Sequence, residues 1–326
     1  MREKTLTGSP PVVLKPARLD RRGKDRLARH FFMLLTCLPA LLLVVMLVAL
    51  AQRAAPILQG SSLGELLTGS LWHPYRGQFG FWPFISGTAW VTVAAMLLAT
   101  PVCLLCALYL SEYARPRTTQ AVKPLLDLLA GIPSVVYGVW GVLAIVPLVG
   151  RLNPAIKGSL GFLPIFVSNN PTGFSVLAGA IVLAVMVTPF IIAVTYEVLR
   201  AVPQELRQAS LAVGASHWQT VKHAVLPQAL PGIIAGCVLG LSRALGETMA
   251  VLMVVGNVAQ APGSIFDPAY PLPALIANNY GEMMSIPRYE AALMGAALLL
   301  LVVVLGFNLL SAMALRRLTG RRRALA

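Results

Sequence analysis

In the last third of the chain an arginine and a glutamate stand inside a run otherwise suited to a bilayer interior. From Gly232 to Thr248 the sequence reads GIIAGCVLGLSRALGET, with Arg243 and Glu247 its only charged residues. An arginine at mid-membrane costs roughly 2.5–3.5 kcal/mol on insertion scales, so its position near the span centre implies a partner group or a wet cavity. Glu247 follows at i+4, a spacing that lets its carboxylate reach the guanidinium along one helix face. Two chemistries fit. Either the two form a self-neutralising structural ion pair, or Arg243 offers its donors to a passing oxyanion while Glu247 holds it in place. A guanidinium suits a tetrahedral oxyanion because its planar fork makes two parallel hydrogen bonds. Gly232, Gly236 and Gly240 recur every four residues, followed in register by Ala244 and Thr248. Such a smooth stripe predicts the close approach of another helix.

The elements that must position these residues are membrane spans. Apolar residues make up 57% of the chain and charged residues 12%, and the mean hydropathy is +0.75. A soluble domain carries about 25% charged residues. Six apolar runs, at roughly 31–50, 84–110, 124–149, 174–198, 229–257 and 289–315, predict an all-α integral membrane protein with six transmembrane helices. The formal charge of +14 would suggest nucleic-acid binding in a soluble protein. Its placement excludes that. Segments 1–30, 111–123, 199–228 and 316–326 hold twenty Lys and Arg, against five in the alternate segments 51–83, 150–173 and 258–288. Strict alternation of this kind puts both termini in the cytoplasm, in a multi-pass protein of the cytoplasmic (inner) membrane with lipid as its surroundings.

Residues 1–30 then form a basic cytoplasmic arm, 31–315 a six-span domain and 316–326 a basic tail. The first run is longer than a secretory signal core and reads as an uncleaved helix. Residues 1–28 mix Pro, Gly, Lys and Arg without periodicity, as a mobile arm does. The loops at 150–173 and 258–288, rich in Pro, Asn and Gly, are longer than bare connections and predict a structured surface on the far side. Cys103 and Cys106 form a C-x-x-C with no second ligand pair and no basic neighbour, so they read as packing residues. His217 and His223, six apart, do not share a helix face for a metal.

Before the charged span lies a polar segment, residues 203–227. Glu205, Arg207, Gln208, His217, Lys222 and His223 alternate there with Leu206, Leu211, Val213, Trp218 and Val221. The pattern predicts two short amphipathic helices with Gly214 at the turn, the second ended by Leu226-Pro227. A helix pair with so little to bury against itself is suited to a groove on another protein. No G-x-x-x-x-G-K-[ST] loop occurs in the chain, so any ATP would be bound by a separate subunit.

The segment QASLAVGASHWQTVKHAVLP resembles the cytoplasmic EAA loop of binding-protein-dependent ABC importer permeases. Gln208, Ala209 and Ser210 fill the E-A-A positions, Gly214 the glycine, Ala224 the isoleucine, and Leu226-Pro227 the end. Gln208, Ser210 and Ala224 depart from the pattern. The stretches PFISGT (83–88), LLAGIPSVVYGVWG (128–141) and SRALGETMAVLMVVGN (242–257) resemble the C-type permease subunits of high-affinity phosphate importers. The resemblance implies a type I importer permease fold and transport of inorganic phosphate, with no cofactor in this chain. It also implies an A-type permease partner, an ATPase homodimer holding ATP and magnesium, and an outer phosphate-binding protein. It gives Arg243 and Glu247 a part in phosphate passage, and residues 205–227 a part in ATPase coupling. A permease for sulfate or molybdate, or a stand-alone carrier or channel, are the alternatives.

Overall fold

The structure, a computed structural model, describes residues 18–60, 62–281 and 285–323. An apolar chain in lipid must satisfy its own backbone N–H and C=O groups, which a helix does within one segment. The order is α1 (Arg18–Gly60), α2 (Leu63–Thr68), a hairpin of β1 (Trp72–His73) and β2 (Gln78–Phe79), then α3 (Trp82–Leu108) with a π-helical turn Tyr109–Tyr113. It continues with α4 (Pro116–Gly131), α5 (Ser134–Trp140), a second π turn Gly141–Ile145, α6 (Val146–Leu160), α7 (Val176–Arg200) and α8 (Gln204–Ala212). Then come α9 (His217–Thr220), a third π turn Val221–Val225, α10 (Leu226–Gly246), α11 (Met249–Val254), α12 (Leu272–Asn279) and α13 (Pro287–Arg323). Among the described residues six helical stretches are long and apolar enough to cross a membrane: Ala28–Gly60, Trp82–Tyr113, Ser134–Ser159, Val176–Arg200, His217–Gly246 and Pro287–Met313.

The chain divides into two compact units, residues 1–49 and 50–326. In the first, the expected basic arm is partly helix: residues 18–28 belong to α1, while 1–17 lie outside the described residues. The sequence has no proline between residues 17 and 38, so none interrupts the helix at its polar start. Residues 316–323 of the basic tail likewise continue α13, and 324–326 lie outside the described residues.

The second unit is built around α7, which packs against α3, α4, α10 and α11. Two-thirds of its apolar window (67%) is buried, against at most 33% for any other span. Lipid tails are as apolar as a protein core, so such helices associate by close packing. On α3, Ala95, Ala99, Cys103 and Ala107 recur every four residues and are almost fully buried. The Cys103 thiol donates to the Thr188 carbonyl of α7 at 3.7 Å. An aromatic cluster of Trp72, Phe79, Phe81, Phe84, Tyr270 and Tyr289 holds the hairpin onto α3 and α13.

The third span differs from the sequence expectation. It begins at Ser134 rather than near 124. Pro133 has no N–H to continue a helix and biases Ile132, at φ −67° and ψ 129°, to extended backbone. Residues 116–131 instead form α4, a separate amphipathic helix docked on α7 by Lys123, which donates to Glu197 at 2.8 Å. That bond raises the lysine pKa above its ordinary value. The span consequently extends through residues expected in the 150–173 loop.

What remains of that loop interlocks with residues 258–271. Asp267 accepts from the Ser168 hydroxyl at 2.6 Å and from the backbone of Ser264 and Gly263 at 2.9 and 3.1 Å. Asn170 donates to the carbonyls of Phe174 and Phe266 at 2.7 and 3.1 Å. The two loops form one knit surface, at the opposite end of α7 from α8.

Candidate functional site

The fifth span is broken where its charged residues lie. It runs from His217 to Gly246, after which Glu247 is extended, at φ −70° and ψ 128°, and a new helix, α11, starts at Met249. Gly246 weakens the last turn, and the Glu247 side chain satisfies a donor of the next helix: the Ala250 N–H donates to Glu247 Oε1 at 3.3 Å. The i+4 spacing therefore never operates. Glu247 does not face Arg243 along a helix, and among the described residues no carboxylate lies within ion-pairing distance of the guanidinium. Nor is Arg243 at the centre of a continuous 229–257 helix; it stands in the last turn of α10, just before the break.

What holds Arg243 is an aromatic ring. Its guanidinium carbon lies 3.7 Å from the centroid of Phe190 on α7, next to Pro189. The Arg243 side chain is otherwise exposed on the surface of the unit, within a membrane-crossing helix. A ring face attracts the cation without consuming its N–H donors, so the five donors stay available to an acceptor arriving from outside the chain. Glu247, half-buried, lines a narrow crevice with Thr88, Thr92, Leu183 and Val251. Phe190 was not legible as a site residue, because nothing in an apolar run marks which phenylalanine will lie under an arginine from another span.

The glycine stripe is the seam between α10 and α7. A Cβ at Gly232 would lie 2.4 Å from Val198 Cγ1, at Gly240 2.6 Å from Ile191 Cγ1, and at Gly236 3.1 Å from Val194 Cγ1. This approach brings α10 near enough for Arg243 to cover Phe190. Ala244, 3% exposed, continues the seam. Close by, the Ser242 hydroxyl donates to Asn308 Oδ1 of α13 at 2.6 Å.

At the other end of α10 the 203–227 segment folds as a short helix pair. Gly214, at φ +84°, adopts the left-handed conformation that ends α8, with its N–H on the Leu211 carbonyl at 3.0 Å and the Ala215 N–H on Ser210 at 3.3 Å. Ser216 then starts α9 with Gln219 in a reciprocal capping box. Glu205, in the first turn of α8, is exposed with Gln208 and Ala209, while Ser210 is half-buried, 3.0 Å from the Thr220 hydroxyl. Val213 at the tip is 85% exposed and Trp218 52%.

The expected stop at Leu226-Pro227 does not occur: the helix runs through it into α10, and Ala224, half-buried, lies in the π turn just before. A widened turn moves the carbonyl that a proline ring would strike, so Pro227 is accommodated rather than terminating. Glu112, at the end of the second span, reads from sequence as an ordinary interfacial acid. The structure pairs it with Arg207 of α8 at 2.9 Å, with 5% and 14% of the two side chains exposed.

Comparison with known proteins agrees with this arrangement. Residues 99–323 match the family described as binding-protein-dependent transport system inner membrane component. The chain is 34% identical over 328 residues to the phosphate transport system permease protein PstC of Xylella fastidiosa, covering 97% of this chain and 99% of that protein. It is 35% identical over 269 residues to the probable ABC transporter permease protein YqgH of Bacillus subtilis, covering 82% and 81%. A bacterial ABC transporter involved in import of the acidic polysaccharide alginate shares the fold at 17% identity and a TM-score of 0.58, over 91% of this chain and 99% of that one. The chain belongs to the family of binding-protein-dependent transport system inner membrane components, with the fold of type I ABC importer permeases.

Proposed function

We propose that this chain is one permease subunit of an ATP-driven importer that moves inorganic phosphate across the cytoplasmic membrane, with Arg243 offering a brief resting place on the route. One observation carries the assignment of the site: a guanidinium on a membrane-crossing helix, backed by Phe190 and exposed on the chain's own surface. Lipid is an expensive neighbour for that group. A second permease subunit covering this face, with water between the two, relieves the cost and leaves a lumen lined by free donors. Relatives named for phosphate transport, alike over nearly the whole chain, support phosphate as the anion.

The partners follow from the family. An A-type permease would complete the lumen, and an ATPase homodimer, holding ATP and magnesium, would seat the exposed face of α8 and α9 around Glu205, Gln208, Ala209, Val213 and Trp218. An outer phosphate-binding protein would meet the knit loops around Asp267. Affinity belongs to that outer protein, because a tight site inside a conduit would trap its anion. Glu247 takes a different part from the one its spacing suggested. It caps α11 and keeps a negative charge beside the helix break, which limits how long an anion rests near Arg243.

The test is uptake of labelled phosphate by the purified assembly in proteoliposomes, with competing anions. Unlabelled phosphate should suppress uptake, while equal sulfate or molybdate leaves it unchanged. Suppression by sulfate but not by phosphate overturns the substrate. Uptake that persists without any ATPase overturns the importer reading.

A further inference from the structure

The α8–α9 pair is fastened to the bundle in an unusual way. No residue of α8 is buried, so apolar packing does not hold it. Instead Arg207 inserts into the bundle and spends its fork on two elements at once. Its Nε and Nη2 donate to the two carboxylate oxygens of Glu112, at 3.3 and 2.9 Å. Nη2 also donates to the Leu199 carbonyl at 2.9 Å, and Nη1 to the Val202 carbonyl. Those carbonyls belong to the last turn of α7 and the bend after it. The Ser111 hydroxyl donates to Glu112 Oε1 at 2.9 Å, holding the carboxylate from behind. The next residue, Tyr113, meets His217 of α9 edge-on, ring centroids 4.8 Å apart. The two short helices therefore hold adjacent residues, Glu112 and Tyr113, at the end of the second span.

We propose that Arg207 and Glu112 form the joint through which movement of the α8–α9 pair is passed into the second and fourth spans. This rests on the reading of that pair as the ATPase-docking element. An apolar contact lets one helix slide over another, whereas a buried two-point ion pair fixes both distance and angle. Tilting α8 must therefore drag the Tyr109–Tyr113 turn, or break a charge pair away from water. α3, which that turn ends, packs along both α7 and α10, the helices that carry Phe190 and Arg243.

Two variants separate a transmitting joint from a mere anchor. Glu112→Gln keeps the shape but removes the charge; Arg207→Lys keeps the charge but loses the fork. Each is made in the full assembly, purified with its ATPase and reconstituted, and phosphate moved per ATP hydrolysed is compared with wild type. The joint predicts assemblies that still form and still hydrolyse ATP, with that ratio down about tenfold, the worth of one charge-assisted hydrogen bond. The double reversal Glu112→Arg with Arg207→Glu should recover part of the ratio. An unchanged ratio in either assembled variant overturns the joint, and so does failure of both to assemble, which would make the pair an anchor. A wild-type assembly that hydrolyses no ATP would instead sink the docking reading, and the joint with it.

Discussion

A guanidinium has five N–H donors, and a ring lying flat against it takes none. That is the sense of Phe190 beneath Arg243. A carboxylate in the same place would have neutralised the charge and occupied the fork. If Arg243 meets the anion, Arg243→Ala removes charge-assisted bonds worth about 1.5–3 kcal/mol each, and uptake falls at least about tenfold. Complex assembly and ATPase binding should survive, as judged by co-purification. Near-normal uptake would make the residue structural. Phe190→Ala removes a contact worth about 0.5–2 kcal/mol, so uptake drops by between about twofold and thirtyfold, while Phe190→Tyr keeps the ring and most of the activity. Equal uptake in the alanine and tyrosine variants would deny the ring its part. The charged residue was legible in the sequence from its cost in lipid, but its neighbour was not. The i+4 rule holds only on an unbroken helix, and the break at Glu247 depends on a cap that forms only once α11 is in place.

At the scale of elements, apolar runs located the six spans, whereas hydrogen bonding set their ends. Hydropathy weighs composition and passes over Ile132-Pro133, so α4 and α5 merged into one expected span, although the missing proline N–H divides them. The same blindness made Pro227 a terminator, where a π turn absorbs it. The glycine stripe was more readable, because close helix approach has a sequence period. It supplies a controlled comparison. Gly240→Val places a branched side chain against Ile191 and should destabilise the bundle by about 1–3 kcal/mol, lowering the thermal midpoint in detergent. Gly246→Ala, at a position with nothing within 4 Å, should not lower it. A common shift in both would show that the seam is not what the stripe secures. Gly214 fails differently. Its surroundings are open, so Gly214→Val meets no neighbour but must hold φ near +84°, a strain of about 1–2 kcal/mol. The α8–α9 turn should loosen and ATPase co-purification should weaken; an unchanged pull-down would detach the turn from docking.

For the whole molecule, orientation decides whether these parts can work together. The twenty-to-five division of Lys and Arg between alternate segments was plain in the sequence, and the revised third span leaves its sense intact, since α4 keeps Arg117 and Lys123 on the α8 side. Val213 and the Asp267 loops lie at opposite ends of the bundle, and on the proposed importer reading the tip would face the ATPase and the loops the incoming anion. A labelling experiment tests this geometry directly. With Cys37, Cys103, Cys106 and Cys237 replaced by alanine, Val213→Cys should react with an impermeant maleimide only in inverted vesicles. Ala261→Cys, at an exposed position six residues before Asp267, should react only in intact cells. Reaction of both from one side would remove an odd number of crossings between them, and with it any path on which a force applied at α8 could open a route facing the other compartment.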